Sequence, residues 1–178
     1  MVIINLKGGL GNQLFQYSAA FGVAKSRNQK LVFDTHSFQN DKCGRKYALT
    51  PFLVDGTFYS KKEVESFLSL SFFNRLINYF RPKKSKHYLS LGDIDSDLSI
   101  LNTKPRNQYL NGYFANPQYF EHIRSEILIN ITLKKEYETD LFKQKLEWIR
   151  TNKFISVHIR RSDYISDQVA NQLFETLS

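Results

Sequence analysis

The sequence contains a single cysteine and no long apolar run among its 178 residues. Because Cys43 has no partner within the chain, an internal disulfide framework of the kind found in small secreted proteins is excluded. No apolar stretch approaches the ~18 residues that a membrane-spanning helix needs. The apolar residues 2–6 are followed at once by glycine, so a secretion signal is not recognisable either. These absences predict a cytoplasmic protein and leave open a peripheral contact with the inner face of the membrane.

The formal net charge of +8 suggests an anionic partner, and charge alone does not choose between nucleic acid, an acidic membrane surface and a sugar nucleotide. The strongest basic run, residues 81–87, has no interleaved aromatic residue for base stacking. Such a run is usually a solvated loop. A non-catalytic basic module that binds nucleic acid therefore stays an alternative, and we expect no nucleic-acid partner.

Hydrophobic periodicity predicts an α/β fold. Residues 2–6 and 30–34 have the pattern of buried strands, and apolar residues at helical spacing follow Asn12. A further strand is predicted near residues 52–54. Helices are predicted after Ser60, by the capping-box pair Ser60 and Glu63, and after Asn116, which is followed by a proline. A last helix is predicted near residues 146–149, and a domain boundary at residues 135–152.

A glycine-rich turn at residues 7–11 connects the first predicted strand to the first predicted helix. Such a turn can hold a diphosphate on backbone N–H groups. No Gly-Lys-Ser/Thr triplet is present, which excludes a P-loop, and Leu14 replaces the third glycine of the dinucleotide fingerprint. A Rossmann dinucleotide-binding enzyme is thus only an alternative. We expect Gly8, Gly9 and Gly11 to adopt positive φ, with Asn12 either capping the helix or binding a sugar.

A second anion site is predicted near the other end of the sequence. Apolar residues 154–159 have the pattern of a buried strand, whose end carries the charged side chains His158, Arg160, Arg161 and Asp163. Ligands of open α/β sheets lie beyond the carboxyl ends of strands, and the guanidinium fork matches the oxygens of a phosphate or diphosphate. Alternatively, the arginines pair with Asp163 and only fix a loop to the sheet.

Two other groups of titratable residues have a catalytic interpretation. Asp93, Asp95 and Asp97 have the Asp-x-Asp spacing that metal-dependent glycosyltransferases use to hold a divalent cation, although this spacing is frequent in exposed turns. Asp34 and His36 follow the second predicted strand, where either could act as a general base. Residues in this pattern are more often an ordinary loop aspartate and a surface histidine without a catalytic role.

The motif His158-Ile159-Arg160-Arg161-Ser162-Asp163 resembles the signature of fucosyltransferases that use GDP-fucose. Together with residues 8–17, Gly-Gly-Leu-Gly-Asn-Gln-Leu-Phe-Gln-Tyr, it resembles glycosyltransferase family eleven, the α1,2-fucosyltransferases. The resemblance implies a GT-B type fold with two facing Rossmann-like lobes. Residues 1–150 would form the acceptor-side domain, and residues 151–178 the first strand and loop of the donor-binding domain. Since family members continue well past the second motif, we expect no transfer by this chain alone.

The reaction implied by this resemblance is an inverting, metal-independent transfer of L-fucose from GDP-fucose to the 2-hydroxyl of a galactoside. Arg160 would be the catalytic residue that stabilises the diphosphate leaving group. His158, Arg161, Asn12 and Gly11 would contribute to donor binding. The implied partners are GDP-fucose and a galactose-containing glycan, with no metal and no further cofactor. A fucosyltransferase of another linkage is the alternative within the same class.

Overall fold

The computed structural model describes residues 1–68, 80, 88–90, 107–153 and 155–157. The chain divides into two compact units, Met1–Tyr137 and Glu138–Ser178. Within the described residues, no helix combines the length and the hydropathy needed to cross a bilayer.

The first unit contains a five-stranded parallel sheet. Its strands are β1 (Val2–Asn5), β2 (Leu31–Asp34), β3 (Thr57–Phe58), β4 (Tyr88–Ser90) and β5 (Gln108–Asn111). The spatial order is β3-β2-β1-β5-β4, and every pair is parallel. Among the described residues of this unit, the helices are α1 (Leu10–Ser26), α2 (Lys61–Leu68) and α3 (Arg124–Asn130), with 3₁₀ helices at His36–Asn40, Pro117–Tyr119, Glu121–Ile123 and Lys135–Tyr137. The predicted α/β class is confirmed, with a Rossmann-like arrangement.

The three neighbouring strands β2, β1 and β5 are buried on both faces, as is typical of parallel sheets. Successive side chains of a strand point to opposite faces, so Ile4 joins a large cluster that includes Tyr17 and Val23 of α1. Ile3 joins the smaller cluster on the opposite face, with Val64 of α2. The predicted β-loop-α-β opening is therefore confirmed, and α1 begins at Leu10, two residues before Asn12.

The helix starts that were predicted from capping residues are confirmed. The Ser60 Oγ donates to Glu63 Oε2 at 2.6 Å, and the Glu63 N–H donates back to Ser60 Oγ at 3.4 Å. The Ser60 backbone N–H also donates to Glu63 Oε2, at 2.7 Å, and the two hydrogen bonds that Ser60 donates to this carboxylate hold the pKa of Glu63 below its ordinary value. Asn116 accepts a hydrogen bond from the Gln118 N–H at 3.0 Å, although the helix that follows is 3₁₀ rather than α.

One strand prediction is wrong, and another falls mostly outside the described residues. Residues 52–54 contain only an isolated bridge from Phe52 to Leu133, and the edge strand lies instead at Thr57–Phe58 beside β2. Of the buried strand predicted at residues 154–159, the structure describes only residues 155–157, which are irregular, with Ile155 91% exposed. The rest of that strand lies outside the described residues and stays a prediction. A strand needs a partner for its backbone groups, and no described residue pairs with this segment. The second unit has instead α4 (Asp140–Thr151), the helix predicted near residues 146–149.

Gly56 has no room for a side chain. A Cβ at this position would overlap Cζ of Phe33 and lie 2.7 Å from its Cε1. Phe33 is 1% exposed, so its ring cannot move into solvent. We expect Gly56→Ala to lower the free energy of unfolding by about 2 kcal/mol, the usual cost of overpacking a core.

The matched control for this substitution is Gly11→Ala at a helical position, because no described atom lies within 4 Å of a Cβ there apart from the adjacent residues and the backbone of α1 itself. Urea denaturation should show that Gly11→Ala is stabilising by about 0.5 kcal/mol, since alanine has the higher helix propensity. Equal stability of the two variants would contradict the close packing of Gly56.

Candidate active site

Polar side chains collect where three neighbouring strands of the first unit end. Asn5 of β1 is in register with Asp34 of β2, and its Nδ2 donates to Asn111 Oδ1 of β5 at 3.1 Å. The Ser37 Oγ donates to Asn5 Oδ1 at 2.5 Å. A continuous polar chain thus crosses the carboxyl edge of the sheet, the edge at which open α/β sheets bind their ligands.

The glycine turn lies at the same edge, immediately after β1. Gly8 has φ +79°, and a Cβ there would lie 2.6 Å from Asn12 Nδ2 and 3.3 Å from Tyr113 Cε1. Nζ of Lys7 lies 4.7 Å from the centroid of the Tyr113 ring. Lys7, Asn12 and Tyr113 therefore surround Gly8, and together they offer a cation, an amide and an aromatic face.

The structure corrects the expectation for the other two glycines. Gly9 has φ −75° as the N-cap of α1, and Gly11 lies inside the helix, so only Gly8 needs positive φ. Among the described residues, nothing lies within 4 Å of a Cβ on Gly9 or on Gly11. Neither backbone strain nor packing in the described structure explains these two glycines. Asn12 is exposed, and because Gly9 is the N-cap, Asn12 does not cap the helix.

A carboxylate–histidine pair stands at the end of β2. Oδ1 of Asp34 lies 2.7 Å from Nδ1 of His36 and accepts the His36 backbone N–H at 3.0 Å. The other carboxylate oxygen, Oδ2, accepts the Tyr109 hydroxyl from β5 at 2.6 Å. The Asp34 side chain is 6% exposed and that of His36 is 23% exposed. Asp34 is thus a buried, fully engaged group rather than an ordinary loop aspartate.

Two neighbouring aromatic residues after β5 have different environments. Phe114 is 3% exposed, and its ring packs edge-on against Tyr119 with centroids 5.7 Å apart. It adopts φ +53°, which is unfavourable for a bulky residue and is retained only where the surroundings require it. Tyr113 is half-buried beside Gly8. Phe114 therefore belongs to the hydrophobic core, whereas Tyr113 is partly exposed at the candidate site.

Comparison with known sequences decides the family. The profile of the family described as Glycosyl transferase family 11 matches residues 1–174. The chain belongs to glycosyltransferase family 11.

Relatives of this family 11 chain include bacterial and mammalian transferases. The α-1,2-colitosyltransferase of Escherichia coli is 34% identical over 94% of this chain and 56% of its own length. The O-antigen biosynthesis glycosyltransferase WbnK of Escherichia coli is 27% identical, over 97% of this chain and 62% of its own length. The galactoside 2-α-L-fucosyltransferase SEC1 of Bos taurus is 24% identical, over 91% of this chain and 38% of its own length. The chain thus spans about half the length of the curated relatives it matches. No solved structure matches it significantly.

Sequence reasoning missed the role of two buried amides in this family 11 chain. Nε2 of Gln13 donates to the carbonyl oxygens of Gly8 and Lys46, both at 2.9 Å, and its Oε1 accepts the Ala48 N–H at 2.8 Å. Oε1 of Gln16 accepts the Lys7 N–H at 3.0 Å. The two amides hold the glycine turn in place, so they position the site without being exposed in it.

Tyr17 has a similar anchoring role one residue further along α1. Its hydroxyl accepts hydrogen bonds from the Asp55 N–H at 3.2 Å and from Asn130 Nδ2 at 2.8 Å. Burial raises the pKa of Tyr17 to about 12, so the phenol remains neutral at physiological pH. The motif at residues 8–17 thus combines exposed groups at its start with buried anchors at its end.

The remaining predicted site residues of the family 11 chain lie outside the described residues. These are the donor-site residues His158, Arg160, Arg161 and Asp163, and the acidic cluster Asp93, Asp95 and Asp97. Their assignments stay predictions. Among described residues, no group of three or more histidine, cysteine, aspartate or glutamate side chains is suited to hold a metal.

Proposed function

We propose that the protein transfers L-fucose from GDP-fucose to the 2-hydroxyl of a galactoside, with inversion and without a metal ion. Membership of family 11 supports transfer of a sugar from a nucleotide donor. The names of two relatives describe α-1,2-colitosyl and galactoside 2-α-L-fucosyl transfer, and both point to a 2-linked product. The proposed architecture is GT-B, with residues 1–150 as the acceptor-side lobe and residues 151–178 as the start of the donor lobe.

The observation that carries this proposal is the open surface at the start of α1. A glycine inside a helix costs roughly 0.5–1 kcal/mol relative to alanine, and no described neighbour of Gly11 requires it. Close approach of a substrate is a reason to retain it. Asn12 is exposed beside Gly11, and Lys7 and Tyr113 lie at the adjoining turn. We infer that Gly11 and Asn12 contact the donor, with the amide of Asn12 hydrogen-bonding the sugar or its phosphates.

The chemical difficulty of the proposed reaction is charge. As the C1–O bond to GDP breaks, positive charge develops on the sugar and negative charge on the diphosphate. Arg160 and Arg161 would stabilise the leaving group with charge-assisted hydrogen bonds, and His158 would bind the donor beside them. Fixed cations of this kind perform the work that a divalent metal performs in other glycosyltransferases.

We expect Gly11→Ala to separate stability from catalysis. The substitution should leave the protein as stable as the parent or more so, because the added methyl group meets no described atom. In the full-length enzyme it should lower kcat/KM for GDP-fucose about tenfold or more, a loss of about 1.4 kcal/mol, because the methyl group displaces the donor. Unchanged kcat/KM would contradict the assignment of Gly11 to the donor site.

A second candidate donor is GDP-colitose, because a relative with 34% identity is named as an α-1,2-colitosyltransferase. The test is a turnover assay of the full-length enzyme with GDP-fucose, GDP-colitose and UDP-galactose, using a galactoside acceptor. NMR of the product identifies the linkage and the anomeric configuration. We expect turnover with GDP-fucose and an α1,2-linked product. A preference for GDP-colitose would mean that GDP-colitose, and not GDP-fucose, is the donor. Turnover with UDP-galactose alone would contradict the proposal.

A further inference from the structure

Asp34 and His36 form a second chemically distinctive group at the carboxyl edge of the sheet. Both oxygens of the buried carboxylate are engaged, Oδ1 by the His36 ring and backbone and Oδ2 by the Tyr109 hydroxyl. The 2.7 Å contact between His36 Nδ1 and a carboxylate oxygen favours the ring tautomer in which Nδ1 carries the proton, because a carboxylate accepts hydrogen bonds. Nε2 is then left with its lone pair, which is the form of histidine that accepts a proton.

The identity of residue 36 is not explained by the turn that it opens. The hydrogen bond from the His36 N–H to Asp34 Oδ1 fastens the 3₁₀ helix His36–Asn40 to the sheet, and any residue other than proline would supply that N–H. The imidazole adds a second contact to the same oxygen at 2.7 Å. Within the part of the chain that the structure describes, no hydrogen bond to Nε2 is formed, and the side chain is 23% exposed. The ring is thus held by its inner nitrogen while part of it faces solvent.

The pair also stands in the part of the sheet where a substrate is expected. Asp34 is in register with Asn5, which precedes the glycine turn by two residues. Ser37, next to His36, donates to Asn5 Oδ1 and so joins the 3₁₀ helix to the central strand. A base oriented by a buried carboxylate at a ligand-binding edge matches the arrangement that activates hydroxyl groups in many enzymes.

We propose that His36 is the proton acceptor for the acceptor hydroxyl, with Asp34 and Tyr109 as positioning residues. This inference rests on the proposed function, because it needs a reaction in which a hydroxyl oxygen attacks a sugar. As the acceptor oxygen forms its bond to C1, its proton passes to Nε2 of His36. The C1–O bond to the diphosphate breaks at the same time, and GDP leaves with the electron pair. The imidazolium that remains is stabilised by the Asp34 carboxylate.

The test compares two nucleophiles in the full-length enzyme. Azide ion carries no proton, so its attack on C1 to form a glycosyl azide and GDP needs no base. We expect His36→Gln to lower transfer to a galactoside hydroxyl by about 100-fold or more, the usual contribution of general-base catalysis. Transfer to azide and the Kd for GDP-fucose should stay within threefold of the parent enzyme. His122→Gln, at an exposed histidine, is the matched control and should retain both activities.

Asp34→Asn is the second variant, because an amide cannot stabilise the imidazolium in the same way. It should lower hydroxyl transfer by about tenfold or more and again leave azide transfer largely intact. If His36→Gln transfers the sugar to a hydroxyl at a rate within threefold of the parent, the inference is overturned. It is also overturned if the rates of transfer to the hydroxyl and to azide fall equally in protein that still binds GDP-fucose. Absence of any GDP-fucose turnover in the parent enzyme would instead remove the proposed function on which the inference rests.

Discussion

Replacement of Arg160 by alanine should lower the rate of sugar transfer by about 30- to 1000-fold in the full-length enzyme. The proposed contact of Arg160 with the diphosphate strengthens as the C1–O bond breaks, so its loss should cost about 2–4 kcal/mol of transition-state stabilisation. The effect should appear mainly in kcat. Arg160→Lys should recover part of the rate, since lysine keeps the charge but not the two-pronged donor geometry.

The matched control for this prediction is Arg150→Ala, at an exposed arginine in the last turn of α4. Arg150→Ala also replaces an arginine by alanine, so the two variants have the same net charge. We expect it to leave kcat within twofold of the parent enzyme. If Arg160→Ala is folded by circular dichroism and loses less than tenfold in rate, Arg160 does not stabilise the leaving group. The motif at residues 158–163 would then have a structural role rather than a role in catalysis.

Replacement of Gln13 by alanine should produce the largest loss of stability among the substitutions of the first motif. Gln13 is 1% exposed and makes three hydrogen bonds, to Gly8, Lys46 and Ala48. Truncation removes the partner of one buried and two part-buried backbone groups and leaves a cavity at a buried position, so we expect a loss of about 3 kcal/mol. Gln13→Glu should be at least as damaging, because a carboxylate oxygen would face two carbonyl oxygens in place of a donor.

Urea denaturation of the 178-residue chain measures this effect. Gln39→Ala changes the same residue type at an exposed position and should alter the free energy of unfolding by less than about 0.5 kcal/mol. A change below about 1 kcal/mol for Gln13→Ala would mean that the turn at residues 7–11 does not depend on this amide.

Local patterns were sufficient to predict the elements in which propensity, capping and burial agree. The strands Val2–Asn5 and Leu31–Asp34 are short β-branched or apolar runs in the buried centre of the sheet. The capping box at Ser60 marked the start of α2 because its hydrogen bonds are local. Strand Thr57–Phe58 could not be predicted in this way, since its two residues are exposed and its position follows from pairing with β2.

The candidate site was only partly predictable for a related reason. Gly11 and Asn12 were named from the motif, but the environment of Gly11, which has no close described neighbour, required coordinates. The buried role of Gln13 and Gln16 did have a sequence signal. With Tyr17 and Ala20 they follow the spacing of one helix face, the face that α1 turns to the core. The environment of the Asp34–His36 pair includes the Tyr109 hydroxyl, which donates to Asp34. Tyr109 is 75 residues away in sequence, so this contact could be found only from the folded structure.

The most direct test of the account is turnover of GDP-fucose by the full-length enzyme in excess EDTA, with a galactoside as the acceptor. The account predicts formation of an α1,2-fucosyl product at the same rate with and without EDTA, because protein cations stabilise the leaving diphosphate. Turnover that appears only when manganese is added would contradict it. That result would move the donor site to the acidic cluster Asp93, Asp95 and Asp97 and to metal-dependent chemistry.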